Sequence, residues 1–141
     1  MQRLIFDQDY TQPPEQVFAY LSEHENLADL FGAKVTRLKD GADGNRNGVG
    51  SARELKVGPF PPFEETVTEF TPNELVAYEI TRGSPLKGHR GEMRFTAEGT
   101  GTHVHYEISF SSKLPGLDIV IAQGLRKNVN KGLTTAASKL G

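Results

Sequence analysis

The sequence contains no cysteine, which excludes disulfides, a thiol nucleophile and thiolate metal ligation and leaves the redox compartment undecided. It also lacks any run of about 18 apolar residues, the length a membrane-spanning helix needs. Its first residues, Met1 to Asp7, lack the apolar core of about 7 to 15 residues that defines a secretory signal. No charge of one sign dominates. Sixteen basic and 18 acidic residues leave a net charge of −2 and a pI near 6.1, so there is no electrostatic reason to expect nucleic acid or an anionic membrane as partner. Repeats, linkers and low-complexity segments are absent, and 141 residues suffice for one domain, 1–141, with its own core. The expectation is a soluble, cytoplasmic domain, monomeric or homodimeric, without nucleic-acid partner or stable membrane insertion.

What is present is organised around the stretch from Pro115 to Leu140. Leu117, Ile121, Leu125, Val129, Leu133, Ala136 and Leu140 recur every three or four positions, which draws one apolar stripe along a helix about 35 Å long. No other segment reads as a long helix, so the strands before it must supply the surface that meets the stripe. Gly124, Asn128 and Gly132 lie on one line beside the stripe and are poor helix formers. Small and polar groups there imply either close approach of the helix to the sheet or a hollow between them.

Before that helix, residues 3–10 alternate Leu4 and Phe6 with Arg3, Asp7 and Asp9, the pattern of a strand with one buried side. Thr11-Gln12-Pro13-Pro14-Glu15 starts a helix capped near Thr11 or Gln12. Val17, Phe18 and Leu21 give its apolar face, and Leu27, Leu30 and Phe31 give a second short helix. From Ala33 onward strands are predicted over residues 35–39, 49–57, 64–70, 75–82, 88–97 and 102–111. A turn is predicted from Asp40 to Asn47, and a stiff proline-rich loop carries Phe60 and Phe63. In the last strand Val104, Tyr106, Ile108 and Phe110 share one face and His103, His105, Glu107 and Ser109 the other, as in an antiparallel sheet covered on one side. The fold class is α+β: a curved antiparallel sheet of about seven strands wrapped around a long C-terminal helix, with two short helices after the first strand.

Pro13-Pro14-Glu15-Gln16-Val17-Phe18, Gly48-Val49-Gly50-Ser51-Ala52-Arg53, the run from Val67 to Tyr78, Gly101-Thr102-His103-Val104-His105-Tyr106 and the final helix together resemble the START-like superfamily, specifically its polyketide cyclase/dehydrase and lipid-transport branch. The resemblance spans essentially the whole chain and implies a helix-grip fold with a mostly apolar cavity between sheet and helix. It leaves activity open, because this fold hosts carriers, receptors and cyclases alike.

Candidate chemistry is sparse. Gly48-x-Gly50 is followed by a strand, which makes it a hairpin turn and not a phosphate loop. His103 and His105 could offer a metal two imidazoles, but they lie on the polar face beside Glu107 without an obvious further ligand, and the expectation is a solvated face and no metal. Glu64, Glu65, Glu69 and Glu79 show no acid/base spacing and are expected on an exposed strand surface. Three polar residues remain. Arg53 shares a strand face with Leu55 and Val57, Tyr78 with Val76 and Ile80, and His89 with Met93 and Phe95, so all three are expected to point inward. The resembling family often places a Tyr or another aromatic where His89 stands.

Arg53, Tyr78 and His89 are the candidate catalytic residues. Those three, with Phe31, Leu55, Phe63, Ile80, Met93, Tyr106, Phe110, Leu125, Asn128 and Gly132, form the expected ligand-binding set. The first functional reading is binding of a hydrophobic or amphipathic small molecule, with Arg53 suited to a carboxylate or phenolate. The second is a cyclase, aromatase or dehydratase-like enzyme with His89 as general acid or base. Neither calls for a cofactor. The Phe60 and Phe63 loop is expected either to gate the cavity or to meet a protein partner.

Overall fold

The computed structural model describes residues 1–42 and 44–141. Strand β1 (Gln2–Tyr10) leads into α1 (Pro14–Ser22), a 3₁₀ turn (His24–Leu27) and α2 (Ala28–Phe31). Then come β2 (Lys34–Lys39), β3 (Ala52–Lys56), β4 (Phe63–Thr71), β5 (Leu75–Arg82), β6 (Leu86–Glu98), β7 (Gly101–Ser112) and the long α3 (Leu117–Leu140). The strands make one antiparallel seven-stranded sheet in the order β1-β7-β6-β5-β4-β3-β2. This is the helix-grip arrangement expected from the element order. Position 43, inside the predicted 40–47 turn, lies outside the described residues.

Alternation decides which face is buried. Leu4, Phe6 and Tyr10 of β1 and Val104, Tyr106, Ile108 and Phe110 of β7 are all 4% exposed or less, while their odd-numbered neighbours face water. Along α3 the same division follows the helical stripe, with Ala122, Val129, Leu133 and Ala136 buried. Full burial of a Val or Leu side chain is worth about 1.5–3 kcal/mol each, which holds α3 in place despite its two interior glycines. Tyr10 adds a buried hydrogen bond, donating its hydroxyl to the Leu133 carbonyl at 2.9 Å.

Three details differ from the sequence reading. The long helix starts at Leu117, not Pro115, because a turn closed by the Leu117 N–H on the Leu114 carbonyl (3.2 Å) precedes it. Pro13, not Thr11 or Gln12, sits at the cap of α1. The long helix does not cover the sheet alone either. Its main neighbours are α2, β1, β7 and α1, and the short helices roof the rest. Phe18 of α1 stands edge-on to Phe70 and Phe95 with ring centroids 5.2 and 5.0 Å away, and Phe31 of α2 stands edge-on to Tyr78 at 6.3 Å. Among the described residues no helix is long and apolar enough to cross a membrane.

Gly132 settles the question left open for the small-residue line. A Cβ there would lie 2.5 Å from Leu30 Cα and 2.9 Å from the Asp29 carbonyl oxygen, so glycine lets α3 press directly on the backbone of α2. The hollow expected at Gly132 is not there, and close packing is the alternative that stands. Gly124 has nothing within 4 Å of such a Cβ and faces solvent.

Candidate functional site

The inner face of β3 to β6 buries a charged and aromatic cluster. Arg53 on β3 is the direct cross-strand neighbour of Glu65 on β4, and their side chains are only 3% and 5% exposed. Arg53 Nε donates to Glu65 Oε1 at 2.8 Å. Nη2 also lies 2.8 Å from that oxygen, but it is not aligned for a hydrogen bond and remains, among the described residues, a buried donor without an acceptor. The close contact is therefore an ion pair, and the Nη2 hydrogens are unspent. The guanidinium lies 4.6 Å over the Tyr78 ring and 5.8 Å over Phe31, so two aromatic faces share in holding its charge.

Tyr78 can reach that position because its cross-strand partner on β6 is Gly91. A Cβ on Gly91 would fall 2.1 Å from Tyr78 Cζ, so any larger residue would displace the ring. The Tyr78 and Tyr106 hydroxyls hydrogen-bond to each other. Burial pushes both phenols well above the ordinary tyrosine range, so both stay protonated.

His89 completes the cluster. It sits where β6 shifts register against β7, between Lys87 and Arg90, and its side chain still points inward, 5% exposed. The Ile80 backbone N–H donates to Nδ1 at 3.1 Å, which leaves the neutral ring's proton on Nε2, 3.9 Å from Glu65 Oε2. Burial lowers the imidazole below its ordinary value, Arg53 lowers it further, and Glu65 opposes them. The ring is therefore neutral near pH 7, with one nitrogen occupied as acceptor and the other carrying hydrogen.

The structure divides the other predicted residues into three groups. Leu55, Met93, Tyr106 and Phe110 are core, each 1% exposed or less, and Phe31 is 6% exposed. Phe63, Ile80 and Leu125 are half-buried, and Phe63 and Leu125, like Leu86 and Ile121, pack on the core. Gly132 is occupied by α2, and Asn128 turns to the outer side, where Nδ2 donates to the Phe31 carbonyl at 3.4 Å. Asn128 lines an outer cleft of about 590 Å³ between α2 and α3 with Gly32, Lys131 and Thr135, separate from the buried cluster. Phe60 is 63% exposed.

Two buried ionisable residues, Glu65 and His24, escape the sequence reading. Glu65 was expected on an exposed acidic surface, yet it shares strand parity with buried Val67, which was the available signal. His24 is fully buried; its Nε2 contacts Ser51 Oγ at 3.0 Å and its Nδ1 has no partner among the described residues. Burial, then the nearby Arg53 and Arg37 charges, push His24 down to about 3.

Comparison with known proteins agrees with this architecture. The family model for polyketide cyclase/dehydrase and lipid transport matches residues 8–141. Among solved structures, the chain is similar to a START superfamily protein from Mycobacterium smegmatis (16% identity, 99% of each chain covered, TM-score 0.80). It is also similar to the Zhui aromatase/cyclase from Streptomyces (18% identity, 99% of this chain and 90% of that one, TM-score 0.70). A third likeness is to the Aha1 dimer from Colwellia psychrerythraea (15% identity, 99% and 96% covered, TM-score 0.71). At these identities the structural likeness speaks for the fold alone. Among curated proteins none matches by sequence.

Proposed function

We propose that this chain, which belongs to the polyketide cyclase/dehydrase and lipid-transport family of the START-like superfamily, binds an apolar or amphipathic small molecule against the inner face of β3 to β6, as a carrier, store or sensor. The observation that carries this reading is Arg53, a deeply buried guanidinium whose Nη2 has no acceptor among the described residues. An unmet buried donor costs about 1–3 kcal/mol, and a ligand oxygen would recover it. Glu65 already balances the charge, so a carboxylate ligand would bring an uncompensated buried negative charge. A neutral carbonyl, ester or phenol oxygen suits the site better than the carboxylate or phenolate first considered. Half-buried Phe63, Leu86, Ile121 and Leu125 offer apolar surface for the rest of the molecule. The working form is a cytoplasmic monomer or homodimer.

The alternative is a polyketide cyclase, aromatase or dehydratase-like enzyme using His89. Its support is Glu65, a carboxylate facing the imidazole at 3.9 Å. Against it, the Ile80 N–H occupies the basic nitrogen, so in this geometry His89 can donate a proton but not accept one.

The test begins with native mass spectrometry of protein purified gently from its own host. Binding of a long-chain methyl ketone and of the fatty acid of equal length is then compared in the wild type and Arg53→Met. The expected result is a preference for the ketone that falls about tenfold to a hundredfold in the variant, the equivalent of one charge-assisted hydrogen bond. Equal ketone binding by both proteins would remove Arg53 from the site.

A further inference from the structure

The opposite face of the sheet carries a second polar constellation that plays no part in the buried cluster. Outward-facing side chains of three adjacent strands meet there: Asp7 and Asp9 of β1, His103 and His105 of β7, and Glu98 at the end of β6. Asp9 is the direct cross-strand partner of His103, and Asp7 of His105. Asp9, Glu98 and His103 each offer one donor atom, and these atoms lie within 4.8 Å of one another. The carboxylates are exposed and the imidazole is half-buried.

We propose that Asp9, Glu98 and His103 bind a divalent transition-metal ion, represented by Zn²⁺, on the outer face of the sheet. Three geometric facts carry this. First, both nitrogens of His103 face carboxylate oxygens: Nε2 is 2.9 Å from Asp7 Oδ1, and Nδ1 is 2.6 Å from Asp9 Oδ1 and 3.8 Å from Glu98 Oε2. A neutral imidazole has one N–H. With Asp7 holding Nε2–H, Nδ1 faces two anionic oxygens, a convergence relieved either by a second ring proton donated to Asp9 or by a bound metal ion. A proton satisfies one of those oxygens; a metal ion takes both and the nitrogen together.

Second, Asp7 stands as the outer carboxylate of a carboxylate–histidine–metal arrangement, which fixes the tautomer and orients the ring. Asp7 is thus a positioning residue and not a ligand. Third, the spacing suits the ion. Zinc bonds of about 2.0–2.2 Å to N and O set donor atoms about 3.4 Å apart in a tetrahedron, and the observed 2.6 and 3.8 Å separations bracket that edge. One imidazole with two carboxylates favours zinc and its transition-metal neighbours over magnesium or calcium, which prefer all-oxygen shells. Two carboxylates also neutralise the ion, and the fourth position faces solvent. Among the described residues His105 has no comparable third donor. Its nitrogens meet Asp7 at 2.7 Å and Glu107 at 3.0 Å, which makes it an internal control.

The test is calorimetric titration of the intact protein with ZnCl₂, read beside the imidazole ¹⁵N spectrum. The expected result is one equivalent bound, with metalation at Nδ1 of His103. His103→Ala, Asp9→Asn and Glu98→Gln should each weaken binding at least about tenfold, and Asp7→Ala about tenfold to a hundredfold with the stoichiometry kept. His105→Ala should leave binding essentially unchanged. All five substitutions are on the outer surface, and circular dichroism checks that each variant is folded. Absence of binding by the wild type, equal binding by His103→Ala, or metalation at His105 would overturn the proposal.

Discussion

Glu65→Gln removes the charge that balances Arg53 while keeping the side chain's shape. The pair is buried on both sides, at 3% and 5% exposure, with a 2.8 Å contact, so the remaining guanidinium cannot be rescued by water. Breaking a pair of this kind costs about 3–5 kcal/mol, whereas replacing both partners with apolar residues is neutral or stabilising by about 1–4 kcal/mol. At about 0.05–0.15 kcal/mol per residue, a chain of 141 residues has a total stability of about 7–21 kcal/mol. The single substitution should therefore cost a large share of it and still leave a folded protein. Urea unfolding is the assay, with Glu65→Gln, Arg53→Met and the double variant Arg53→Met/Glu65→Leu closing a thermodynamic cycle. The double variant should recover most of the stability lost by Glu65→Gln. A cost below about 1 kcal/mol for Glu65→Gln, the range of an exposed ion pair, would refute the reasoning. So would a double variant no more stable than the single one.

Two further predictions concern the helices. Gly124→Ala meets nothing within 4 Å and should stabilise by about 1 kcal/mol through helix propensity, whereas Gly132→Ala drives a methyl into Leu30 Cα at 2.5 Å and should destabilise by about 1–3 kcal/mol. Urea midpoints moving the same way in both would contradict the close contact of α3 with α2. The buried His24 sets an acid limb. Its folded value of about 3 lies below the ordinary value of about 6.5 for an unfolded chain, so the unfolded chain takes the proton first. Its stability contribution is present in full above about pH 6.5 and declines as pH falls toward about 3, by at most about 1.4 kcal/mol per pH unit. His24→Leu should lessen the slope between about pH 6.5 and 5, where carboxylates remain ionised, with His89 supplying the remainder in the same direction. His103 and His105 are raised by their carboxylate partners and act in the opposite sense, losing their contribution as pH rises through those values. An unchanged acid slope in His24→Leu would refute the assignment.

The element order was legible because the signals that set it are local. Period-two alternation identified β7 and the buried sides of β1 and β3, and a sustained helical period identified α3. What escaped the sequence was decided between elements. Glu65 shares parity with Val67, but acidic residues stand at both parities of β4, and that strand shifts register against β5 at 64/65 and at 67/69. Its own pattern could not say which carboxylate meets Arg53; only the β3–β4 register does. Gly132 could equally have marked a hollow or a contact, because the atom that fills the space belongs to Leu30, about a hundred residues earlier in the chain. His24 lies in a single 3₁₀ turn, too short to show any period, so its burial left no trace in the sequence pattern.

The polar fastenings of α3 are unevenly distributed. Its C-terminal half is tied by Tyr10 to the Leu133 carbonyl, by Asn128 to Phe31, by Lys139 to Asp29 and by Gln16 to the Leu140 carbonyl. At its N-terminal end Asp118 accepts a hydrogen bond from Gln2 and donates its backbone N–H to Ser112 Oγ, while Ile119 and Val120 stand 53% and 65% exposed. A rod held more tightly at one end is a lever, and its less tightly held end travels farthest for a given input of thermal energy. With the fulcrum at Gly132, amide exchange along α3 should run fastest near Ile119 and slow progressively toward Leu133, so half-buried Ile121 yields before Leu125.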